Sequence, residues 1–218
     1  SRITTYPDGG TRIEAYRVDA SLETVTGTAT HGALYEYGVE STYGSGDYGS
    51  TCTLETKLKA DSSPCDEWTK TFTDPLGHTY KTLYAAASAP FPATRSYYND
   101  AGQLWKEVDP DGVTTLSQYN ATGQLEYTAL DVNRNDQIDL AGPDRVTRTV
   151  SEVTTNHGVN VRRTLTYVWP TDSSGTPLCI ATNEISTDGL RSWSFTPAGV
   201  SQSQTAYAAN GYRYTTNT

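Results

Sequence analysis

The residues whose types and spacing best suit chemistry lie between positions 131 and 144. Oxygen-bearing side chains occupy positions 1, 3, 5 and 9 of an EF-hand-like calcium loop, and these are Asp131, Asn133, Asn135 and Asp139. Gln137 stands at position 7, where a backbone carbonyl would bind the ion. Because Ca²⁺ takes about six to eight hard oxygen ligands, the segment predicts a structural calcium site.

The segment also departs from the calcium template. Position 6 is Asp136 rather than glycine, position 12 is Gly142 rather than glutamate, and no flanking helices are predicted. Asp144 would supply the missing carboxylate from two residues further along the chain. The alternative is a long polar hairpin loop whose Asp and Asn side chains close Asx-turns. The residues alone leave both interpretations open.

Three cysteines are the next candidates for chemistry. Cys52 and Cys65 flank a strand-like run and a turn-like segment, and a disulfide between them would stabilise the fold by about 3 kcal/mol. The alternative is two unrelated thiols. If the disulfide forms, Cys179 is left over, either buried or bonded to another chain. No Cys-x-x-Cys motif or Cys/His pair suggests zinc.

Nothing in the sequence predicts nucleophilic catalysis, so we expect a protein that is not an enzyme. The three histidines, at positions 31, 78 and 157, are isolated, and neither a GxSxG elbow nor an HExxH helix is present. A Gly-Ser-Gly stretch around Ser45 lies among Tyr and Asp residues and is interpreted as a mobile loop. Asp109 and Asp111 belong to a predicted turn, which explains their pairing without acid–base chemistry.

The elements that would position these residues follow from an internal repeat. The segment Tyr98-Asn-Asp-Ala-Gly102-Gln-Leu104 is followed, 21 residues later, by Tyr119-Asn-Ala-Thr-Gly123-Gln-Leu125. A strong turn sequence, Asp109-Pro-Asp-Gly112, separates the two copies. Each repeat therefore predicts a strand, a tight turn at the glycine and a second strand. The fold class expected is all-β, an antiparallel meander of hairpins that forms a repeat sheet.

Looser copies of this motif extend the pattern over most of the chain. An aromatic residue precedes a glycine by four or five positions at 72–77, 195–199 and 207–211, and the segment 6–10 is similar. In the segment 16–22 the expected glycine is missing. Strand alternation supports the interpretation, since Val161, Arg163 and Leu165 would share one face of a strand, together with Tyr167 and Trp169.

The pattern Tyr-(Asn/Asp)-x-x-Gly-x-Leu, with Asp-Pro-x-Gly turns between copies, resembles the YD repeat of RHS-type proteins. The resemblance implies a long β-sheet that coils, in some members into a hollow shell around a toxin, while other members are large surface or adhesive proteins. The chain lacks the core signature that ends such shells and carries their self-cleavage. Self-cleavage and toxin delivery are therefore not expected of this segment.

Composition narrows the classes of function. The net charge is −9 and the sequence pI is near 4.7, with Lys and Arg scattered singly, so no nucleic-acid partner is expected. No apolar run approaches the roughly 18 residues that span a bilayer. The absence of Met, the acidity and the abundance of turns favour an extracellular or cell-surface location. Because Ser1 already lies in a strand-like stretch, the chain is interpreted as a piece of something longer.

Together these features predict a single YD-repeat-like β domain over 1–218 with a structural or interaction role. We expect copies, or neighbouring repeats, to associate end to end by β-strand pairing into a fibre or surface scaffold. One alternative is an adhesive module that binds glycans through Trp and Tyr side chains, and another is a wall segment of a toxin-encapsulating shell. The sequon at Asn120 is assigned to its turn, where Asn is required anyway.

Overall fold

The computed structural model describes residues 1–41, 47, 49–170, 175–207 and 213–217. These residues form seventeen β-strands and no helix, which confirms the predicted all-β class. No segment of the described chain is therefore a helix that could cross a membrane. The chain divides into two compact units, Ser1–Gly112 and Val113–Thr218.

The first unit is an antiparallel meander in which each strand pairs with the next along the chain. Its nine described strands are β1 (Arg2–Thr5), β2 (Thr11–Tyr16), β3 (Leu22–Thr26), β4 (Ala33–Val39), β5 (Thr51–Leu58), β6 (Pro64–Thr73), β7 (Thr79–Tyr84), β8 (Ala93–Tyr98) and β9 (Leu104–Val108).

The second unit repeats this plan, again with each strand antiparallel to the next. Its eight described strands are β10 (Thr114–Tyr119), β11 (Leu125–Asp131), β12 (Arg145–Asn156), β13 (Val159–Val168), β14 (Leu178–Ser186), β15 (Arg191–Thr196), β16 (Gly199–Tyr207) and β17 (Arg213–Asn217). The predicted meander of hairpins is thus confirmed in each unit.

The turn between β8 and β9 shows how the repeat motif folds. Asn99 Oδ1 accepts hydrogen bonds from the backbone N–H groups of Ala101, at 3.0 Å, and Gln103, at 2.9 Å. The Gln103 carbonyl in turn accepts the Asn99 N–H at 2.9 Å, which closes a five-residue turn. Gly102, at the fourth position, has a φ of 73°, in the left-handed region that only glycine enters freely.

The second copy, between β10 and β11, has the same geometry. Asn120 Oδ1 accepts the N–H groups of Thr122 and Gln124, each at 3.0 Å, and Gly123 has a φ of 82°. In both copies a β-bulge follows, with Tyr98 opposite Leu104 and Tyr119 opposite Leu125. The 21-residue repeat therefore covers one turn of this geometry, strand β9, the turn at 109–112 and strand β10.

A third turn of this kind lies at Asp74, between β6 and β7. Asp74 Oδ1 accepts the N–H groups of Leu76, at 2.9 Å, and His78, at 2.8 Å, and Gly77 has a φ of 89°. We call this kind, with Asn or Asp at the first of five positions, a first-position turn. It comprises the turns at Asn99, Asn120 and Asp74.

A second kind of five-residue turn carries its Asp at the third position, and we call it a third-position turn. Asp8 Oδ1 accepts the N–H of Gly10 at 2.9 Å, Asp19 Oδ1 that of Ser21 at 2.9 Å, and Asp61 Oδ1 that of Ser63 at 3.0 Å. In two of the three, the fourth position is not glycine. Ala20 has a φ of 66° and Ser62 a φ of 65°.

The glycine that the sequence pattern lacks at 16–22 is therefore replaced by Ala20 in the same backbone conformation. The segment 195–199 differs from the prediction, because Thr196 pairs directly with Gly199 and a two-residue turn joins β15 to β16. The segment 207–211 lies outside the described residues except for Tyr207.

The two faces of each sheet differ in chemistry. In the second unit, a row of hydroxyl and amide side chains crosses β12 to β16, with each residue directly opposite the next: Ser151, Thr164, Asn183, Ser194 and Ser201. In the first unit, a corresponding row crosses β5 to β8: Thr53, Thr71, Thr82 and Thr94. We call the face that carries these rows the hydroxyl face of each unit.

The face opposite each hydroxyl row is here called the apolar–charged face. In the first unit it includes Phe72, which is 2% exposed, whereas the buried Val25 and Ala33 lie on the face of Thr53. In the second unit the apolar–charged face holds most of the buried side chains, among them Val161 and Trp193. The register places Val161, Arg163 and Leu165 together on this face, as the alternation predicted. Leu116, Ala129 and Val146 form a buried row across β10 to β12.

Candidate functional site

The predicted calcium loop, 131–144, is organised around two buried carboxylates. Asp131 is 4% exposed, and its two oxygens accept the N–H groups of Asn135 at 3.2 Å and Asp136 at 2.9 Å. Asp144 is 1% exposed and accepts the N–H groups of Val132 at 2.9 Å and Asp139 at 3.0 Å. These hydrogen bonds offset the desolvation of both carboxylates.

The remaining predicted ligands lie in the exposed part of the loop. Asp139 Oδ2 accepts the side-chain amides of Asn133, at 2.7 Å, and Asn135, at 2.8 Å. Asn135 Oδ1 accepts the N–H of Gln137 at 2.9 Å, which closes an Asx-turn. A Cβ at Gly142 would lie 2.6 Å from Asp139 Cβ, so close packing explains why glycine replaces the glutamate of the template.

Within the loop, Asp139 is joined to Asp144 by a hydrogen bond from its backbone N–H. Among the described residues, however, no group of three or more His, Cys, Asp or Glu side chains is arranged to hold a metal ion. The amide nitrogens, and not the amide oxygens, of Asn133 and Asn135 face Asp139. Calcium binding stays a prediction, and a higher melting temperature in Ca²⁺ than in EDTA is the result that would support it.

The register of the β5–β6 hairpin does not bring Cys52 and Cys65 together. Cys52 lies opposite Phe72, and Cys65 lies seven positions before Phe72 on β6. At about 3.3 Å per residue this separates the two cysteines by roughly 20 Å, whereas a disulfide needs Cα atoms within about 7 Å. The register therefore does not allow the predicted disulfide. Both thiols are free, and Cys179 is free and exposed rather than buried.

Two of the histidines that look isolated in the sequence have carboxylate and aromatic neighbours. His78 Nδ1 lies 3.1 Å from Asp74 Oδ2, and the His78 ring stacks on Tyr98 at 4.5 Å between centroids. Burial acts to raise the pKa of Asp74, but the hydrogen bonds that Asp74 accepts from His78 and Leu76 outweigh it, so the pKa is lowered.

The second histidine cluster centres on Glu184, whose side chain is 1% exposed. His157 Nε2 lies 2.8 Å from Glu184 Oε2, and Asn156 Nδ2 donates to both carboxylate oxygens at 3.0 and 3.1 Å. The His157 ring stacks on Trp193 at 4.1 Å. This cluster fixes the tip of the β12–β13 hairpin against β14 and β15. The sequence does not signal this cluster, because His157 and Glu184 are 27 positions apart and meet only through strand register.

Cations that lie over aromatic rings, each held by a carboxylate, recur in the molecule. Lys70 Nζ lies 4.9 Å from the centre of the Phe72 ring and pairs with Glu40 at 2.9 Å. Lys81 approaches the same ring at 5.0 Å and pairs with Asp47. Burial of the cationic residues in such sets is compensated by the ring and by the carboxylate.

The second unit contains an equivalent set built on arginine. The Arg148 guanidinium lies 5.2 Å from the centre of the Tyr127 ring, and its Nε donates to Glu126 at 2.8 Å. Hydrogen bonding to Glu126 raises the pKa of Arg148. We refer to such an arrangement as a ring–cation–carboxylate set.

Other sequence candidates resolve into structural roles. Asn120 accepts three hydrogen bonds inside its turn, from Thr122 N, Thr122 Oγ1 and Gln124 N, in agreement with its assignment to the turn rather than to a glycan. Asp109 Oδ1 accepts the N–H of Asp111 at 2.9 Å within the turn predicted there. The Gly-Ser-Gly stretch around Ser45 lies outside the described residues.

The tryptophans proposed as sugar platforms are not free surface rings. Trp169 and Trp193 are 7% and 6% exposed, while Trp68 and Trp105 are half-buried. The largest exposed aromatic side chains are distributed along the chain, among them Tyr6, Tyr16, Tyr37, Tyr84, Phe91 and Tyr97.

No protein-family model and no curated protein matches the chain. Among solved structures, it is similar to the crystal structure of TcdB2–TccC3–Cdc42, with 12% identity and a TM-score of 0.35 over 97% of this chain and 13% of that chain. A second, that of TcdB2–TccC3–TEV, shows 11% identity and a TM-score of 0.38 over 99% of this chain and 12% of that chain. At these values the likeness carries no argument about function.

Proposed function

We propose that this chain is a non-catalytic wall segment of a larger extracellular β-repeat protein of the RHS type. The observation that carries the proposal is the antiparallel meander, in which each unit carries a row of hydroxyl or amide side chains across one face, while Phe72 in the first unit and Val161 and Trp193 in the second are buried on the other. A sheet of this kind separates two environments. Some of its ion pairs, such as Arg148 with Glu126 and Arg163 with Glu152, join neighbouring strands, which suits a wall better than an open catalytic cleft.

The proposal includes association through strand edges. Strand β1 pairs with β2, strand β17 pairs with β16, and the described side chains of both outer strands are largely exposed. Backbone groups on an outer edge offer hydrogen bonds to a further strand. We infer that a neighbouring repeat or a second copy of the chain supplies that strand.

The test is self-association measured by sedimentation velocity over a wide range of concentration. Ile3, on β1, is 63% exposed, and we expect Ile3→Lys to weaken association about tenfold, because charge on an edge strand disfavours pairing. Thr216→Lys on β17 is expected to act similarly. Val18→Lys is the matched control, since Val18 is fully exposed in a turn and lies on no edge strand.

A wild-type chain that stays monomeric at every concentration would contradict pairing between copies. An equal loss of association in Val18→Lys would assign the effect to net charge rather than to the strand edge. Measured turnover of any substrate that depends on a described side chain would contradict the non-catalytic role.

A further inference from the structure

One aromatic corner of the first unit has the ring and the carboxylate of a ring–cation–carboxylate set but lacks the cation. Trp68, on β6, meets Phe91 edge to face, with 5.0 Å between ring centroids and 81° between ring planes. The two rings line an open cleft of about 710 Å³. Within the described part of the chain, no Lys or Arg lies over either ring, in contrast to Phe72 and Tyr127.

Asp66 supplies the carboxylate of this corner. It lies two positions before Trp68 on β6, so its side chain is on the same face of the strand and about 7 Å along it. Asp66 is exposed, and no described cation pairs with it. The whole chain also carries a net charge of −9, which favours a positively charged ligand.

The loop that carries Phe91 is built to hold the ring in place and to leave the cleft open. Residues 85–92 connect β7 to β8, and backbone hydrogen bonds fasten both ends: Ala85 N donates to the Trp68 carbonyl and Tyr84 N to the Pro92 carbonyl, each at 3.0 Å. Proline on either side of Phe91 restricts the backbone. Three alanines, Ala85 to Ala87, line the cleft without filling it. Phe91 remains 37% exposed.

From this geometry we propose that the Trp68–Phe91 corner is a docking site for an arginine side chain of a partner polypeptide. A guanidinium can lie over an aromatic ring and donate to a carboxylate at the same time, as Arg148 does with Tyr127 and Glu126 in the second unit. Here the partner would supply the cation of a ring–cation–carboxylate set, whereas elsewhere the protein supplies that cation itself. The proposal goes beyond the wall function and does not depend on strand pairing.

The experiment uses the whole chain and two short probes that differ only in charge. Acetyl-Gly-Arg-Gly-amide is titrated while the indole N–H signals of the tryptophans are followed by NMR, and the same peptide with citrulline in place of arginine is the control. The Trp68 signal, assigned by its loss in Trp68→Phe, is expected to shift with the arginine peptide. Binding of the citrulline peptide is expected to be about fivefold weaker or more.

A pair of charge variants separates the site from general electrostatics. Asp66→Asn is expected to weaken binding about threefold or more, because it removes the acceptor for the guanidinium. Asp100→Asn removes the same charge from an exposed turn residue that does not line the cleft, and it is expected to leave binding unchanged.

The proposal is overturned by an unmoved Trp68 signal, by equal binding of the arginine and citrulline peptides, or by equal effects of Asp66→Asn and Asp100→Asn. Stronger binding of choline or of a neutral oligosaccharide than of the arginine peptide would also overturn it, since the corner would then serve another class of ligand. Each result is independent of the sedimentation experiment on Ile3.

Discussion

The turns at Asn99 and at Asp19 reach the same backbone conformation with different residues. In the first, Asn99 at position one accepts two backbone N–H groups, and Gly102 at position four adopts positive φ. In the second, Asp19 at position three accepts the N–H and the hydroxyl of Ser21, and Ala20 adopts positive φ. Glycine adopts positive φ at position four at the lowest conformational cost, but it is not required when an Asp–Ser pair fixes the turn.

The largest effect on stability is expected from Gly102→Ala, because this change introduces both backbone strain and a close contact in the first-position turn. Alanine at a φ of 73° costs about 1–2 kcal/mol, and its Cβ would lie 3.2 Å from His78 Nε2. We expect a loss of about 2 kcal/mol in the free energy of unfolding, measured in urea. Gly77→Ala, where a Cβ would meet nothing within 4 Å, is the control and should lose about 1 kcal/mol. Equal losses would remove His78 from the explanation.

A smaller effect is expected from Asn99→Ala, which removes the acceptor of two backbone hydrogen bonds. The loss in the free energy of unfolding should be about 1 kcal/mol, as for other side-chain caps. Asn99→Asp keeps the acceptor and should be nearly neutral at pH 7, as Asp74 in the equivalent position suggests. Stability unchanged in Asn99→Ala would mean that the bulge, and not the side chain, holds the turn.

Ala20→Gly should stabilise the protein, because it relieves the positive φ of the third-position turn. We expect a gain of about 0.5–1 kcal/mol in the free energy of unfolding, since the added flexibility of the unfolded chain offsets part of the relief. Ala15→Gly, in the middle of β2, is the control and should destabilise. If Ala20→Gly also destabilises the protein, alanine is not strained at this position of the third-position turn.

The smallest expected effect is a loss of stability at acidic pH. Hydrogen bonds from the Ser21 hydroxyl and backbone lower the pKa of Asp19 from its ordinary value of 3.8, and Ser63 lowers that of Asp61 in the same way. A lowered folded-state pKa gives stability that is present above the unfolded value and is lost as pH falls through the folded value. The turns at Asp19 and Asp61 should therefore weaken below about pH 4.

The Asn-based turns provide the contrast, because their side chains do not titrate. Asp19→Asn should make the urea midpoint less sensitive to acid between neutral pH and pH 3, while Asn99→Asp should make it more sensitive. If the pH profiles of wild type and both variants run parallel, the acid sensitivity does not originate in these turns.

The sequence predicts the parts of this fold that depend on local chemistry. The first-position turns carry Asn or Asp and Gly at fixed spacing, so their existence follows from the residues alone. Ala20 and Ser62 were not predicted because neither residue type signals positive φ; the conformation is imposed by the hydrogen bonds of Asp19 and Asp61.

Features that depend on register could not be predicted in the same way. Cys52 and Cys65 are close along the chain, yet the pairing of β5 with β6 places them at opposite ends of the hairpin. His157 and Glu184 are far apart along the chain, yet register joins them. In the 131–144 loop the sequence shows a run of oxygen-rich residues, whereas the burial of Asp131 and Asp144 emerges only from the fold.

The repeat spacing has a consequence for how such a chain can change length. In an antiparallel meander, two strands and their turns return the chain to its starting direction, and the 21 residues from Tyr98 to Tyr119 cover this step. Duplication or loss of one such step leaves every later strand with its original direction and neighbours. Loss of a single strand would reverse all that follow. Insertions and deletions in related sheets should therefore be tolerated in whole hairpins, which makes the hairpin the unit of inheritance as well as of folding.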